Sequence, residues 1–449
     1  MTAFSPAESW GRLPGAGESS VVSLAWRDET VAAIRRAGGP LLPRGLGRSY
    51  GDSCLNEGGV LLDATPLSRL ISFDRERKLL RCEAGVSLEQ LVAFLVPRGL
   101  FLPVTPGTRH VTVGGAIAND VHGKNHHVAG TFGAHVTSLE VVRSTGESLE
   151  CSRESNAGPF AATVGGLGLT GLVTWAETRL RRIESPEVEF EELRFGRIDE
   201  FHDLNRDSER EWEYTVAWVD CLAKGPALGR GIYIRGRHAP ASASAPLAAW
   251  KPARPLPAVP CDAPSFVLGY PTVKAFNETW FRLKGRGRVR VGPLEPFFYP
   301  LDAVPGWNRL YGRRGFFQYQ CVVPHEGGRE AIRELLARIS ASGQGSFLSV
   351  VKTFGDLPSP GLLSFPRPGI TLAFDFANLG ERTLRLFDTL DAVVRQAGGA
   401  LYPAKDARMS PEMFESSSPR LADFLPHVDP AFSSSFWRRV ASAREGSRP

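Results

Sequence analysis

Apolar residues in the first part of the chain recur with spacings that predict both strands and helices. Residues 40–63, "PLLPRGLGRSYGDSCLNEGGVLLD", predict a strand, a glycine-rich loop and a second strand. After the strand "KLLRCEAG", four apolar side chains between 88 and 95 fall on one face of a helix. Ser87 and Gln90 form a capping box at its start, and Gly99 ends it. The first part of the chain is therefore predicted to be α+β.

Two further stretches of the first part predict paired strands. Residues 138–151, "SLEVVRSTGESLEC", are typical of a β-hairpin, and residues 160–180 predict strands on both sides of a glycine turn. Within that turn, Gly166, Gly168 and Gly171 spell G-x-G-x-x-G. A Rossmann fingerprint needs a helix after the glycines, whereas the "LVTWAETRL" that follows has the pattern of a strand. We therefore reject a Rossmann fold.

The middle of the chain has strands with polar side chains at alternate positions. These strands are "YTVAWVDC", "FFQYQCVV", "FLSVVKTFG" and "ITLAFDF", and two amphipathic helices separate them. Because side chains alternate between the two faces of a strand, Gln318 and Gln320 share one face. Thr371, Ala373 and Asp375 share a face in the same way. The pattern predicts a second α+β domain built on an antiparallel sheet.

Length and composition agree with two globular domains. The chain has 449 residues, of which 42% are hydrophobic and 22% are charged. No apolar run is long enough to cross a bilayer. The first twenty residues lack the basic start and apolar centre of a secretory signal, so we expect a cytoplasmic protein. The net charge of +5 fits an anionic ligand but is too small and too dispersed to indicate nucleic acid.

Two segments are candidates for surface contacts. Residues 282–292, "RLKGRGRVRVG", form the densest basic patch, which we interpret as a solvated loop and strand, with an anionic-lipid or phosphate contact as the alternative. Residues 238–264 are rich in Pro and Ala and predict a long loop. Trp250 within this loop is a candidate membrane contact, although a plain insertion is the favoured interpretation.

Histidines cluster in "NDVHGKNHH", residues 119–127. His122 and His126 are four residues apart, as zinc ligands on one helical face can be. Gly123 interrupts the helical setting, and no acidic or cysteine ligands follow at zinc spacing. The six cysteines are scattered and contain no C-x-x-C pair, which argues against a zinc ribbon or a disulfide framework. We predict that the chain binds no metal.

Three glycine-rich loops favour a phosphate ligand instead. They are residues 43–52, 105–125 and 164–171. Glycine allows successive backbone N–H groups to form a concave nest for phosphate. A helix beginning near Gly114 and Gly115 would add its positive end. Several such loops directed at one pyrophosphate suggest a dinucleotide.

The motifs together resemble a known family. "RGLGRSYGD", "TPGTRHVTVGGAIANDVHGKNHHVAGTFG", "ATVGGLGLTG" and "LYPAKDAR" are similar to FAD-dependent oxidoreductases of the vanillyl-alcohol oxidase superfamily, in particular the branch that acts on a lipid-linked ribose in mycobacterial cell-wall synthesis. The resemblance covers nearly the whole chain. It implies an α+β fold with a bipartite FAD-binding domain, residues 1–184 and 400–449, and an inserted substrate domain, residues 185–399, built on an antiparallel sheet.

The resemblance also implies which residues bind FAD, with the pyrophosphate on residues 44–51 and 107–115. The implied cofactor-binding residues are Arg44, Gly45, Leu46, Gly47, Arg48, Ser49, Tyr50, Gly51, Gly107, Thr108, Thr112, Gly114, Gly115, Asn119, Asp120, His122, Gly171, Val173 and Tyr402. Many members of the superfamily bond FAD covalently to a histidine of the first loop. Here Arg48 offers no nucleophilic imidazole, so we predict non-covalent FAD, with Arg48 pairing with phosphate or carbonyl oxygen. A structural salt bridge within the loop is the alternative for Arg48.

For catalysis, the resemblance places His122 at the flavin and makes Lys405 the candidate base or hydroxyl-orienting group. Burial beside the flavin would lower the pKa of this lysine to a useful range. A surface lysine paired with Asp406 is the alternative. The substrate-binding candidates are Lys124, Trp218, Gln318, Gln320, Lys352, Thr371 and Ala373. For those on strands, the alternative is a solvated sheet face.

The sequence departs from the mycobacterial pattern in the pocket wall. Thr371 and Ala373 stand where those enzymes have asparagine and cysteine, and a tyrosine is shifted by one residue near Phe298 and Tyr299. These changes affect the expected substrate more than the expected reaction.

The expected function is FAD-dependent oxidation of a sugar secondary alcohol. The preferred substrate is a polyprenyl-phosphoryl ribose, oxidised at C2′ to the keto sugar, after which a partner short-chain reductase would complete epimerisation to arabinose. One alternative is an alditol or aldonolactone oxidase that uses a soluble sugar and oxygen. The other is a non-catalytic flavin-binding assembly protein. A peripheral membrane contact is left open, and no nucleic-acid partner is expected.

Overall fold

A computed structural model describes residues 8–15, 17–241 and 246–445 of the chain. The strands are β1 (Ser20–Ser23), β2 (Leu41–Arg44), β3 (Val60–Asp63), β4 (Leu70–Asp74), β5 (Leu79–Glu83), β6 (Leu100–Phe101), β7 (Val136–Val142), β8 (Ser148–Ser152), β9 (Leu172–Arg179), β10 (Arg181–Arg182), β11 (Glu187–Phe195), β12 (Tyr214–Val219), β13 (Gly231–His238), β14 (Arg290–Pro293), β15 (Phe316–Val323), β16 (Ser349–Phe354), β17 (Gly369–Ala377) and β18 (Ala400–Leu401). The helices are α1 (Thr30–Ala37), α2 (Leu88–Leu95), α3 (Val113–Ala118), α4 (His126–Ala129), α5 (Ala157–Thr163), α6 (Ile198–Ser208), α7 (Tyr270–Leu283), α8 (Leu294–Phe298), α9 (Gly328–Ser342), α10 (Glu381–Gln396), α11 (Pro411–Ser417), α12 (Leu421–Phe424) and α13 (Ser435–Glu445).

The first part of the chain forms two main sheets. Strands β1, β3 and β2 make a three-stranded parallel sheet, and β4, β5, β9, β7 and β8 make a five-stranded antiparallel sheet in that order. The predicted helix α2 packs its four apolar side chains into the core beside the larger sheet. Its capping box is present, because Ser87 Oγ accepts from the Gln90 N–H at 3.1 Å while Gln90 Oε1 accepts from the Ser87 N–H at 2.8 Å. The α-helix ends at Leu95, earlier than predicted, and the left-handed Gly99 ends the 3-10 turn Val96–Arg98 that continues it.

One predicted strand is wrong. Residues 160–163 complete helix α5, residues 164–171 form the glycine turn, and only residues 172–179 form a strand, β9. Residues 157–163 contain three alanines and have Pro159 in the first turn, both of which favour a helix. The Thr163 hydroxyl donates to the Pro159 carbonyl at 2.8 Å within this helix. The strand after the glycine turn is confirmed, and with it the rejection of the Rossmann fingerprint.

The middle of the chain forms an eight-stranded sheet. Its order is β14, β11, β13, β12, β16, β17, β15 and β18, and every pairing is antiparallel, which confirms the predicted fold class. One face carries apolar side chains such as Tyr319, Cys321 and Phe374 into a core shared with α9 and α10. In register, Gln320 lies opposite Ala373 and Lys352 lies opposite Thr371. These polar residues are therefore collected on the other face.

The C-terminal segment contacts both parts of the molecule. Strand β18 pairs with β15 at the edge of the eight-stranded sheet. Phe432 forms a parallel bridge with Leu41, and Arg439 forms ion pairs with Asp52 and Asp406 at 2.7 and 2.9 Å. The boundaries at residues 184 and 399 stay a prediction.

The segment between β13 and α7 contains neither strand nor α-helix in its described residues, as the Pro and Ala pattern predicted, while residues 242–245 of that segment lie outside the described ranges. Within those ranges, the helices include none that combines the length and the apolar character needed to span a membrane.

Candidate active site

A cavity of about 350 Å³ lies between the glycine loops and the polar face of the eight-stranded sheet. The predicted cofactor residues that line it are Arg44, Gly45, Leu46, Gly47, Arg48, Ser49, Tyr50, Gly107, Thr108, Thr112, Gly114, Gly115, Asn119, His122, Gly171, Val173 and Tyr402. The predicted substrate and catalytic residues that line it, besides His122, are Lys124, Gln318, Gln320, Lys352, Thr371, Ala373 and Lys405. The structure thus brings together residues that are up to 361 positions apart in the sequence, from Arg44 to Lys405.

The first glycine loop, residues 45–49, offers unused backbone donors to this cavity. Its five N–H groups donate no hydrogen bond to any residue in the described ranges, and Gly47 has a left-handed φ of 61°. Thr112 packs closely against this loop, because a Cβ on Gly45 would meet its Oγ1 at 2.2 Å. A run of free amides around a left-handed glycine has the form of an anion-binding nest. We call residues 45–49 the amide loop.

Arg44 adds a positive charge beside the amide loop. Its guanidinium is buried and donates through Nη2 to the Glu8 carbonyl at 2.5 Å. Nε and Nη1 are buried without a hydrogen-bond partner among the described residues. A buried guanidinium with unused donors is costly unless a ligand completes its hydrogen bonds. Together with the free amides, it fits the pyrophosphate of the FAD that the resemblance implies.

The start of helix α3 does not have the predicted role. Its first N–H groups were expected to point at phosphate, but Val113 donates to the Val86 carbonyl and Gly114 donates to the Ala84 carbonyl, each at 2.8 Å. The N–H of Gly115 donates to Thr112 Oγ1 at 3.1 Å. These donors are used to fasten the second loop to the protein, so the positive end of α3 contributes no free hydrogen bonds to the cavity.

Arg48 lies over the ring of Trp10, with its guanidinium carbon 4.0 Å from the ring centroid. Burial lowers the pKa of Arg48, and the Asp302 carboxylate acts in the opposite direction. Arg48 makes no ion pair within the described ranges, so the alternative of a loop salt bridge is not observed. Trp10 and Asp302 line the cavity as well.

His122 is held between two side chains of the sheet. Its Nδ1 lies 2.7 Å from Lys352 Nζ, and its Nε2 lies 3.0 Å from Gln320 Nε2. Lys352 also donates to the Gly123 carbonyl at 2.6 Å. With the Gln320 amide nitrogen donating to Nε2, the histidine proton lies on Nδ1 and a neutral Lys352 is its acceptor.

The electrostatics of this triad agree with neutral groups. Burial and then the charge of Lys352 hold the pKa of His122 well below its ordinary value. Burial, followed by the charges of Lys124 and Lys405, holds the pKa of Lys352 well below its ordinary value. The charges of Lys124 and Lys405 therefore disfavour the charged form of Lys352 when no anion is near.

Lys405 lies against an aromatic ring at the same cavity. Its Nζ is 4.0 Å from the centroid of Tyr50. Burial lowers the pKa of Lys405 to about 8, although the Asp375 carboxylate acts in the opposite direction. The alternative of a surface lysine paired with Asp406 is wrong, because Asp406 instead accepts from Arg439 at 2.9 Å.

Asp375 was not predicted as a site residue. It is fully buried, its Oδ1 accepts from Gln318 Nε2 at 2.5 Å, and its Oδ2 has no partner among the described residues. Burial raises the pKa of Asp375 to about 7, against the hydrogen bond from Gln318. The alternation of side chains along β17, which groups Asp375 with Thr371 and Ala373, was the signal that could have found it.

Lys124 stands at the wall formed by Phe297 and Phe298. Its Nζ donates to the Phe297 carbonyl and, at 3.3 Å, to the Phe298 carbonyl. Burial lowers the pKa of Lys124 to about 7.

Tyr402 lies at another side of the cavity, where its hydroxyl donates to the Asn119 carbonyl at 2.8 Å and its ring stacks on Phe365.

Three predicted residues do not line the cavity. Gly51 packs against the backbone of Asp406, where a Cβ would meet the carbonyl oxygen at 1.8 Å. The buried carboxylate of Asp120 accepts from the Gly133 N–H at 2.9 Å and the Ser364 hydroxyl at 2.6 Å, so it holds loops together. Trp218 shares a face with the cavity-lining Val216 but donates through Nε1 to the Phe347 carbonyl at 3.1 Å.

The histidines of "NDVHGKNHH" have separate surroundings. His122 faces the cavity, the ring nitrogens of buried His126 have no partner among the described residues, and His127 Nε2 lies 3.3 Å from the Trp212 carbonyl. In the part of the chain that the structure describes, no group of three or more His, Cys, Asp or Glu side chains is placed to hold a metal ion.

Phe298 was expected in the cavity wall, but sequence reasoning missed the rest of that wall. The missed part consists of Trp10 and the stretch from Pro300 to Trp307, where Thr108 and the Arg109 N–H donate to Asp302 at 2.7 and 2.8 Å. No local motif marks these residues, because their role depends on contacts between distant segments.

Comparisons with known proteins agree with this geometry. The family described as "FAD binding domain" matches residues 25–152. The decaprenylphosphoryl-β-D-ribose oxidase of Mycolicibacterium smegmatis is 39% identical over 96% of this chain and 96% of its own length. The L-gulonolactone oxidase of Mus musculus is 31% identical over 32% of each chain. A cytokinin dehydrogenase of Oryza sativa is 27% identical over 48% of this chain and 45% of its own.

Proposed function

Because the chain belongs to the family of FAD-dependent oxidoreductases that includes decaprenylphosphoryl-β-D-ribose oxidase, we propose that it oxidises a secondary alcohol of a lipid-linked pentose. The substrate is a polyprenyl-phosphoryl ribose, and the C2′ hydroxyl becomes a ketone. The observation that carries the proposal is Lys405, a partly buried lysine with a pKa lowered to about 8, which lines the cavity against Tyr50, next to the amide loop.

FAD is the cofactor, and the amide loop and Arg44 would hold its pyrophosphate. When bound, FAD supplies the acceptor for the hydride that leaves the alcohol carbon. We propose that the flavin is not covalently attached, because Arg48 replaces the nucleophilic histidine. Cys54 also lines the cavity, but burial raises the pKa of its thiol to about 11, so it remains protonated and weakly nucleophilic at neutral pH.

Lys405 would take the proton of the substrate hydroxyl. A neutral amine is available to a useful extent near a pKa of about 8, which is the condition for an efficient general base near neutral pH. Asp375 acts through its charge on Lys405, and Gln318 holds Asp375 in place. We therefore assign Lys405 as the base and Asp375 as a positioning residue that also tunes it.

The triad of His122, Gln320 and Lys352 would orient the sugar. All three line the cavity, and their mutual hydrogen bonds fix the direction of each side chain before substrate enters. Fixed donors that need no rearrangement lower the cost of aligning the reacting carbon. Thr371 and Ala373, on the same wall, leave more room than asparagine and cysteine would and set the fit of the ring.

Lys124 would bind the phosphate that joins sugar and lipid. A phosphate favours the charged amine, and Lys124 already lies at the cavity wall beside Phe298. We also propose that residues 185–399 form the substrate domain. The keto product would then be reduced by a separate short-chain reductase, which completes the change from ribose to arabinose.

The alternative of a soluble aldonolactone substrate has less support. The similarity to L-gulonolactone oxidase covers 32% of this chain, whereas the similarity to the lipid-linked ribose oxidase covers 96%. A non-catalytic flavin protein would have no need for a buried base on the cavity wall.

The test is anaerobic titration of the purified yellow protein with polyprenyl-phosphoryl ribose, monitored through the flavin absorbance. We expect bleaching with this substrate and none with free D-ribose or L-gulonolactone. Precipitation with acid should release the flavin into the supernatant. Bleaching by the free sugars alone would favour the soluble-sugar alternative, and an oxidised spectrum with every sugar would favour the non-catalytic one.

A further inference from the structure

Exposed apolar side chains concentrate in one stretch of the chain, residues 256–291. Among the described residues, 17 large hydrophobic side chains are exposed, and eight of them lie within these 36 positions. The eight are Leu256, Phe266, Tyr270, Phe276, Trp280, Leu283, Val289 and Val291. Phe266 is 75% exposed and Leu283 is 58% exposed. Such a concentration marks an interaction site, because single exposed apolar residues are normally scattered.

Helix α7 carries the centre of this surface. Only Val273 and Asn277 of its 14 residues are buried. Phe276, Trp280 and Leu283 are spaced four and three residues apart, so they lie on one side of the helix. The rings of Phe276 and Trp280 stack with their centroids 5.8 Å apart. The helix therefore presents a preformed apolar stripe to the surroundings.

The same region is strongly basic. Residues 256–291 contain six Lys and Arg against two Asp and Glu, a net charge of +4, while the whole chain carries +5. The remaining 413 residues therefore carry a net charge of only +1. Arg286 and Arg288 are exposed and make no ion pair within the described ranges. We call the exposed side chains of residues 256–291 the basic-aromatic surface.

This surface adjoins the cavity. The Leu256 N–H donates to the Ala303 carbonyl at 2.8 Å, and the Val259 N–H donates to the Pro305 carbonyl at 2.9 Å. The stretch to which they bond runs between Phe298 and Trp307, both of which line the cavity. The start of the basic-aromatic surface is therefore hydrogen-bonded to the cavity wall.

We propose that the basic-aromatic surface docks the protein on an anionic lipid bilayer. Arginines attract the negative headgroups, and the aromatic and aliphatic side chains enter the interface between headgroups and acyl chains. The positive charge argues for this occupant over a second copy of the chain, which would bring two surfaces of equal sign together. The docking rests on the exposed surface alone, whereas its purpose, the delivery of a lipid-linked sugar to the cavity, rests on the proposed function.

Trp250, the candidate from the Pro- and Ala-rich loop, does not share this role. It is half-buried and packs against the core beside the five-stranded sheet. Its neighbours Leu247–Ala249 contact the turn after α2. Arg282, Lys284 and Arg290 form ion pairs with Glu278 or Glu192. Arg286 and Arg288 form none within the described ranges, so their substitution tests the charge of the surface most directly.

The test is sedimentation of the FAD-loaded protein with vesicles of equimolar phosphatidylglycerol and phosphatidylcholine. We expect binding that weakens with salt and is absent from pure phosphatidylcholine. The lipid concentration at which half of the protein is bound should be at least about tenfold higher for the Arg286→Glu/Arg288→Glu variant. Its control, Arg385→Glu/Arg395→Glu, makes the same charge change at exposed sites on α10 and should bind as the unchanged protein does.

The apolar contribution is tested with Leu283→Ser/Val289→Ser against Leu70→Ser/Ile71→Ser, two exposed pairs on different surfaces. Only the first pair should reduce vesicle binding. The proposal would be overturned if the charge variant bound as well as its control, or if the apolar variant bound as well as its control. It would also be overturned if the unchanged protein did not bind anionic vesicles. A light-scattering mass of two chains that returns to one in Leu283→Ser/Val289→Ser would assign the surface to a second copy. Oxidation of substrate in detergent, measured separately, should stay unchanged, so a failure of docking is distinguishable from a failure of the proposed function.

Discussion

The two sides of the cavity offer different kinds of groups to a ligand. The amide loop offers free backbone N–H groups, whose hydrogen-bonding capacity does not change with pH. The other side, which we call the sheet side, offers side chains from the eight-stranded sheet and from the adjoining turn Pro403–Lys405. Lys352, Lys405 and Asp375 there all have pKa values displaced by burial. One side should therefore hold its ligand over a wide pH range, while the other should respond to protons and to single side-chain changes.

The difference follows from what each ligand requires. A pyrophosphate stays charged at neutral pH, so fixed dipoles and the Arg44 guanidinium would suffice to bind it. An alcohol that is to be oxidised must lose a proton, which requires a group able to exist in both states. The following changes separate the two sides, beginning with the largest expected effect.

Replacement of the proposed base should have the largest effect. For Lys405→Ala we expect kcat to fall by about a hundredfold to ten-thousandfold, since a positioned general base contributes that much. FAD content should stay unchanged, because Lys405 belongs neither to the amide loop nor to Arg44, the groups proposed to hold the pyrophosphate. Single-turnover bleaching of the flavin measures the rate. Lys224→Ala, at an exposed lysine, is the control and should keep the rate of the unchanged protein. If Lys405→Ala is no slower than this control, Lys405 is not the base.

Changes at the amide loop should act on FAD instead. Gly45→Ala places a Cβ 2.2 Å from Thr112 Oγ1, so the loop must shift and its amides lose their alignment. Arg44→Gln removes the buried charge. We expect the Kd for FAD to rise by roughly tenfold to a hundredfold in each variant, as for a lost charged hydrogen bond. Fluorescence titration of the apoprotein measures it.

Gly15→Ala is the matched control for this second prediction, since a Cβ there meets nothing within 4 Å. With FAD saturating, Gly45→Ala and Arg44→Gln should both keep most of the kcat of the unchanged protein. A fall in kcat without any change in FAD affinity would mean that the amide loop faces the substrate.

The two sides also differ in how far the sequence revealed them. The amide loop is a local feature of the sequence, and the glycines at 45 and 47 predict it without knowledge of the fold. The strands carrying Gln320 and Lys352 were predicted from alternation, but their opposition to Ala373 and Thr371 depends on register. The start of α3 was misjudged because the partners that occupy its N–H groups, Ala84 and Val86, come from another segment.

The pH dependence should distinguish the two sides more finely. Lys405 must be neutral to accept a proton, so kcat should rise with pH up to its pKa of about 8 and then level off. The Asp375 carboxylate raises that pKa, so Asp375→Asn should move the rising limb to lower pH. Over the same range the Kd for FAD should stay nearly constant. A limb that does not move would mean that Asp375 is only structural.

The smallest expected effect is a proton taken up when substrate binds. Burial holds the pKa of Lys124 at about 7, so at a pH of about 8 the amine is mostly neutral before binding. A phosphate beside it favours the charged form, and the pKa rises above the pH of the solution. Calorimetric titration of the oxidised holoenzyme with polyprenyl phosphate, in two buffers of different ionisation enthalpy, should show uptake of about one proton. The uptake should fall in Lys124→Gln and persist in Lys405→Ala, because the phosphate is assigned to Lys124 and the hydroxyl to Lys405. Equal uptake in the unchanged protein and in Lys124→Gln would place the phosphate elsewhere in the cavity, with Lys352, whose pKa burial also lowers, as the next candidate.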